Sequence, residues 1–202
     1  MQLFLPRDPA AAERAYDKIA VALEAGGMDV LGKRVLPVDA DILGPLAAAV
    51  CPTMQQLVFA SKDPALEGDA LENQLYVLRR SMPAIEGVEL AADEGDGAYV
   101  VSLSSRTIIY KGMLQSCALA RYYLDLLDER YETRFAIYHR RFSTNTQPRW
   151  PLAQPFRILG HNGEINTLLG NVNWMRARAG AQMRCDIVSS KQKTKNKSFK
   201  KT

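Results

Sequence analysis

Residues 138–178 read YHRRFSTNTQPRWPLAQPFRILGHNGEINTLLGNVNWMRAR. The segment packs an arginine pair, Arg140 and Arg141, a Ser143-Thr144-Asn145-Thr146 run, Trp150 and an Asn162-Gly163-Glu164 triplet close together. That mixture suits a generic core poorly. It suits a polar pocket that grips a small zwitterion and stabilises a developing oxyanion, and the chemistry implied is amide hydrolysis. Local pattern predicts a strand over Arg134–Tyr138 delivering the chain to His139, a strand over Phe156–Leu159, and a helix from Ile165 to Ala179.

A tetrahedral intermediate formed from an amide needs two donors aimed at its oxygen. The Asn162 side-chain amide and the Gly163 backbone N–H can supply both, and glycine permits close backbone approach. The same Asn-Gly pair also reads as a hairpin turn. Glu164 can receive the ammonium of an amino-acid substrate or simply favour the N-terminus of the following helix. One arginine of the Arg140-Arg141 pair, pointing into a pocket, would hold an α-carboxylate bidentately; a surface cation is the other reading. His139 and His161 are the only histidines, and without a carboxylate cluster they do not make a metal site. Ser143 and His139 share one loop, with no spacing that brings them together as a nucleophile pair.

Working outward, the first sixty residues alternate strand and helix. Gln2–Leu5 is a short apolar run ended by Pro6. Asp8 caps a helix carried by Ala10–Ala25, with Pro9 in its first turn and Gly26-Gly27 as its stop. A strand over Met28–Pro37, a helix capped by Asp39 or Asp41 and running through Val50, and a buried strand over Met54–Ala60 follow. Leu66–Met82 reads as a helix with Arg79 and Arg80 near its C-terminus, where cations favour the dipole. Val88–Tyr110 reads as a β-hairpin turning at Asp93–Gly97, and Leu114–Tyr131 as a helix with Tyr122 and Tyr123 on its core stripe and Cys117 packed inside it. Hairpin-type strands mixed with helices favour an α+β layered domain over a doubly wound sheet.

The chain of 202 residues, 47% hydrophobic, is long enough for one sizeable core. No run approaches the roughly 18 to 20 apolar residues that cross a bilayer, and the N-terminus lacks a signal-peptide pattern, so a cytoplasmic location is expected. Cys51, Cys117 and Cys185 are too far apart for a CxxC pair, a metal set or a disulfide framework. Residues 191–202 hold six lysines and no acidic residue; removing those six from the net charge of +4 leaves the rest of the chain at −2. The basicity therefore belongs to a lysine-rich tail over 181–202, read as disordered or as a contact for something anionic, and nucleic-acid binding gains no support from the folded part. Neither GxGxxG nor GxxxxGK[ST] occurs.

The run RFSTNTQPRWPLAQPFRILGHNGEINTLLGNVNWMRAR resembles the glutamine amidotransferase domain of the glutamate synthase large subunit, and SLSSRTIIYKGML, residues 102–114, resembles the segment that precedes it. The resemblance implies an N-terminal-nucleophile fold, a four-layer αββα sandwich, here incomplete. In that family a cysteine at the mature N-terminus attacks the glutamine side chain, and ammonia passes to a synthase domain that makes glutamate from 2-oxoglutarate with FMN and an iron–sulfur cluster. By motif position Arg141 matches the arginine that holds the glutamine carboxylate, Asn162 and Gly163 match the oxyanion hole, and Glu164 matches a residue near the substrate ammonium.

Departures from the family pattern shape the expectation as much as the match. The family opens with cysteine and a glycine-rich segment, whereas this sequence opens Met1-Gln2-Leu3 and turns lysine-rich after Cys185-Asp186. The expectation is a partial amidotransferase domain over 1–180, truncated at both ends and inactive alone, with no cofactor of its own. A non-catalytic interaction module and a piece of another class II amidotransferase such as asparagine synthetase are the rival readings.

Overall fold

The computed structural model describes residues 1–82, 88–89, 97–142, 147–156 and 169–178. It divides into two compact units, Met1–His161 and Asn162–Thr202.

The first unit is organised by a five-stranded sheet. Its strands are β1 (Gln2–Leu5), β2 (Met28–Val35), β3 (Thr53–Ser61), β4 (Val88–Glu89) and β5 (Ala98–Ser102), in the order β2-β3-β1-β5-β4. Pairing is antiparallel throughout except between β4 and β5, which run parallel. The central β1 is buried along its whole length. Its alternation sends Leu3 and Leu5 to one face and Phe4 to the other, so two separate cores form.

Helix α1 (Pro9–Ala25) covers the first face with Ala12, Ala15, Tyr16, Ile19 and Leu23, a stripe at helical spacing. Helix α3 (Gly68–Ser81) adds Leu75 to the same core. Pro9 opens α1 and the Asp8 carboxylate accepts from the Ala11 N–H at 2.7 Å, as the sequence predicts. Asp8→Ala is expected to lower stability by about 1 kcal/mol with an unchanged m-value in urea unfolding.

The other face carries no long helix. It is covered by aromatic residues from short turns and irregular segments, with Tyr122, Tyr123 and Trp150 packed over Phe4, Met54 and Tyr99 of the sheet. Here the structure departs from the sequence reading. The predicted helix over Leu114–Tyr131 is broken into a 3-10 turn at Ser116–Ala118, the single turn α4 (Leu119–Tyr122) and a 3-10 turn at Leu124–Leu127. Tyr122 and Tyr123 are neighbours in sequence and both fully buried, and a continuous helix would swing them about 100° apart. The chain instead extends at Tyr123 and pairs with residues 37–39: Asp39 N–H donates to Tyr122 O at 2.9 Å and Leu124 N–H to Pro37 O at 3.1 Å.

The predicted hairpin over Val88–Tyr110 is also replaced. β5 pairs antiparallel with β1, and residues 107–110 are not a strand. Ser104 Oγ accepts from the amides of Arg106 and Thr107, and Glu72 of α3 accepts from the Ser104 hydroxyl and from both the hydroxyl and the amide of Ser105. These side-chain bonds turn the chain immediately after β5. Burial alone would raise the Glu72 carboxyl, but the hydrogen bonds from Ser105 and Ser104 prevail and hold it below its ordinary range. The helix expected to run through Val50 is likewise split: Asp39 caps a 3-10 turn at Ala40–Ile42, and Gly44-Pro45 restarts the chain as α2 (Pro45–Ala49).

In the second unit residues 169–178 form a helix, inside the predicted Ile165–Ala179 span, with Leu169, Trp174 and Met175 exposed. Among the described residues no helix is long and apolar enough to cross a membrane.

Candidate functional site

Three consecutive residues, Tyr110-Lys111-Gly112, meet residues 150–156 at the aromatic face of the sheet. The Tyr110 hydroxyl donates to Asp125 Oδ2 at 3.1 Å, and Arg34 of β2 reaches the same carboxylate, so the 3-10 turn at 124–127 is tied to the sheet. Burial and the neighbouring Asp125 charge raise the Tyr110 phenol, keeping it a neutral donor. Lys111 is 2% exposed. Its Nζ lies 2.7 Å from Pro151 O and 3.3 Å from the Tyr99 hydroxyl, over the rings of Tyr99 and Phe156, while its own carbonyl accepts from Tyr123 Oη at 2.7 Å. Gly112 lies under the Trp150 ring, where a Cβ would come within 2.2 Å of Cζ3.

Trp150 is the deepest point of the strap formed by residues 147–156. Its ring meets Phe4 edge-on at 6.0 Å and Tyr122 at 5.7 Å, and its Nε1–H donates to Ala47 O at 3.1 Å. The sequence reading grouped this tryptophan with the pocket residues. It is a core residue instead, with its one polar atom satisfied by backbone.

The arginine pair sits at the end of a segment that is extended and exposed rather than a strand. Residues 134–138 pair with no strand among the described residues, and Phe135 and Tyr138 are 69% and 76% exposed. His139 is half-buried and its Nδ1 accepts from the Arg141 N–H at 3.1 Å. The two arginines then separate. Arg140 Nε donates to Ser116 Oγ at 3.1 Å, whereas the Arg141 guanidinium is exposed and has no side-chain partner among the described residues. Ser143, Thr144, Asn145, Thr146, His161, Asn162, Gly163 and Glu164 lie outside the described residues, as do most of the Phe156–Leu159 strand and Cys185.

Cys51 does not have the setting of an activated thiol. Cys51 Sγ is 3.2 Å from the Tyr122 hydroxyl, and burial pushes its thiol up against the opposing effects of that hydrogen bond and of Arg7. Cys117, expected inside a helix as a small hydrophobe, is exposed on the 3-10 turn at Ser116–Ala118, because the helix that would have buried it does not form. Among the described residues no group of three or more His, Cys, Asp or Glu side chains could hold a metal ion, so they offer no ligand set that fits an iron–sulfur cluster.

Lys111 is the residue that sequence reasoning missed. A buried lysine leaves little trace in a sequence; the available signal was its place between two residues that both pack, Tyr110 and Gly112, after the apolar Ile108-Ile109.

Comparison with known proteins gives a consistent picture. The family model of class-II glutamine amidotransferases matches residues 1–198. The chloroplastic ferredoxin-dependent glutamate synthase of Oryza sativa subsp. japonica is 48% identical over 176 residues, covering 87% of this chain and 11% of the relative. Ferredoxin-dependent glutamate synthase 2 of Synechocystis sp. is 51% identical over 178 residues, with the same coverage of 87% and 11%. The NADPH glutamate synthase large chain of Azospirillum brasilense is 46% identical over 178 residues, again covering 87% and 11%. The chain thus spans 11% of the length of these relatives.

Proposed function

The chain belongs to the class-II glutamine amidotransferases, and from that premise we propose that it is part of the glutamine-hydrolysing domain of a glutamate synthase. Arg141 holds the glutamine α-carboxylate, Glu164 lies toward the ammonium, and the Asn162 side chain and Gly163 N–H receive the oxyanion. A thiolate adds to the carboxamide carbon, ammonia leaves, and water then releases glutamate from the thioester. The ammonia serves a synthase domain of a longer protein, where FMN and an iron–sulfur cluster belong.

The single sheet with helices on one face forms half of a four-layer αββα sandwich in this reading. The cytoplasmic location read from the sequence is kept, while some of the relatives are chloroplastic by name.

The unequal engagement of the arginine pair carries the assignment of Arg141. Arg140 is occupied by Ser116, and Arg141 is exposed without a described side-chain partner. In equilibrium dialysis with labelled glutamine, Arg141→Ala is expected to weaken binding by about tenfold or more, as loss of a charge-assisted bidentate pair does, and Arg140→Ala by less than about twofold. Equal losses in both variants, or no glutamine binding, would overturn the assignment.

We further propose that the 202-residue chain alone does not turn glutamine over. Burial holds Cys51 as a thiol, so the attacking thiolate comes from a residue other than Cys51. Ammonia release above a boiled control, abolished by Arg141→Ala, would contradict this.

A further inference from the structure

Lys111 is a buried amine whose partners among the described residues do not neutralise its charge. Among the described residues its nitrogen meets the Pro151 carbonyl, the Tyr99 hydroxyl and the faces of Tyr99 and Phe156, none of which carries a negative charge. The other cation nearby is Arg79 of α3, itself buried and hydrogen-bonded to Tyr99. A neutral amine can still donate to Pro151 O from this position. A charged one must be held with no carboxylate against it among the described residues and beside a like charge, and two ring faces compensate that only in part.

We propose that Lys111 is a positioning residue that works as a proton-operated latch: with its amine neutral it seats residues 147–156 on the sheet, and protonation of that amine unseats them. The strap leads in sequence directly into the residues assigned above to the oxyanion and the ammonium, so what the latch serves rests on the glutaminase reading. The latch itself does not.

Burial, with the Arg79 charge added, pulls Lys111 down to about 7. An unfolded lysine keeps its proton to about pH 10.4. Between those values the unfolded chain binds a proton that the folded chain lacks, so stability rises with pH across that window and is lost as pH falls toward 7. The slope is about tenfold in the unfolding equilibrium constant per pH unit. Tyr99 and Arg79 do not change charge there, since burial raises the phenol and arginine stays protonated. The Met1 amine, lowered to about 6 by burial, moves in the same direction and is common to wild type and variant.

The chain has two tryptophans, so a Trp174→Phe background leaves Trp150 as a single reporter of the seated strap. Acrylamide quenching between pH 5.5 and 9 is expected to rise as pH falls, with a midpoint near 7, while far-UV circular dichroism stays constant. Lys111→Met should abolish the pH dependence of quenching and remove the tenfold-per-unit slope in stability above about pH 8, where the Met1 amine no longer contributes. A flat wild-type profile, or the same profile in Lys111→Met, overturns the proposal. Should that variant fail to fold, the wild type decides by lysine-selective carbon-13 NMR. One lysine titrating at the quenching midpoint supports the latch, and no lysine titrating below pH 9 refutes it. No glutamine enters these measurements, so their failure and a failure of glutamine binding are told apart.

Discussion

Trp150→Ala is expected to lower the stability of the chain by about 3–5 kcal/mol, the range for removing a large buried aromatic side chain. A typical domain is stable by about 5–15 kcal/mol in total, so the variant should be largely unfolded at 37 °C or poorly soluble. Two losses combine. The ring is 2% exposed and fills the space between Phe4 and Tyr122, so a cavity opens at the centre of the aromatic core. The Ala47 carbonyl also loses its Nε1–H donor and is left buried without one. Trp150→Phe separates these terms, since it keeps most of the ring contact and removes the donor; about 1–3 kcal/mol is expected from the lost bond and the smaller ring together. Urea unfolding followed by far-UV circular dichroism measures both, and a loss below about 1 kcal/mol for the alanine variant would show that the strap is not part of the core.

The same tryptophan shows where sequence reasoning stopped. Elements governed by neighbours in the chain were legible: Asp8 and Pro9 start α1, Gly26 ends it, and the apolar run Gln2–Leu5 ended by Pro6 is β1. Elements whose form is decided by distant partners were not. The apolar spacing of residues 114–131 satisfies a helix, yet bonds from residues 37–39 extend the chain at Tyr123. The β-prone Thr107–Tyr110 run is turned aside by Glu72, which lies more than thirty residues earlier. At the candidate site the arginine pair was visible, but which arginine remains available depends on Ser116, a contact that no local pattern encodes. Trp150 and Lys111 escaped for one reason. Their surroundings come from distant elements: Trp150 packs on Phe4 of β1, Ala47 of α2 and Tyr122 of α4, and Lys111 reaches Tyr99 of β5 and Pro151.

Gly112→Ala is expected to cost about 2–3 kcal/mol, toward the upper part of the range for overpacking a filled core. A Cβ at this position would lie 2.2 Å from Trp150 Cζ3 and 2.7 Å from Cε3, closer than atoms can approach, and 3.2 Å from Cη2, a tight contact. Gly26 gives a useful contrast, because a Cβ there would meet Leu78 Cδ2 at 2.0 Å. Leu78 is half-buried and can rotate its terminal methyls away, so Gly26→Ala should cost less despite the shorter distance. The Trp150 ring has no such freedom, since Ala47 holds one edge and Phe4 and Tyr122 pack against it. Relief therefore has to come from moving the Tyr110-Lys111-Gly112 backbone, which would also disturb the Lys111 bond to Pro151. A double-mutant cycle tests the mechanism: in a Trp150→Leu background, where the smaller side chain leaves room for the methyl group, Gly112→Ala should cost less than about 1 kcal/mol, a coupling of about 1–2 kcal/mol. An equal cost in both backgrounds would mean that glycine is required for some reason other than the tryptophan above it.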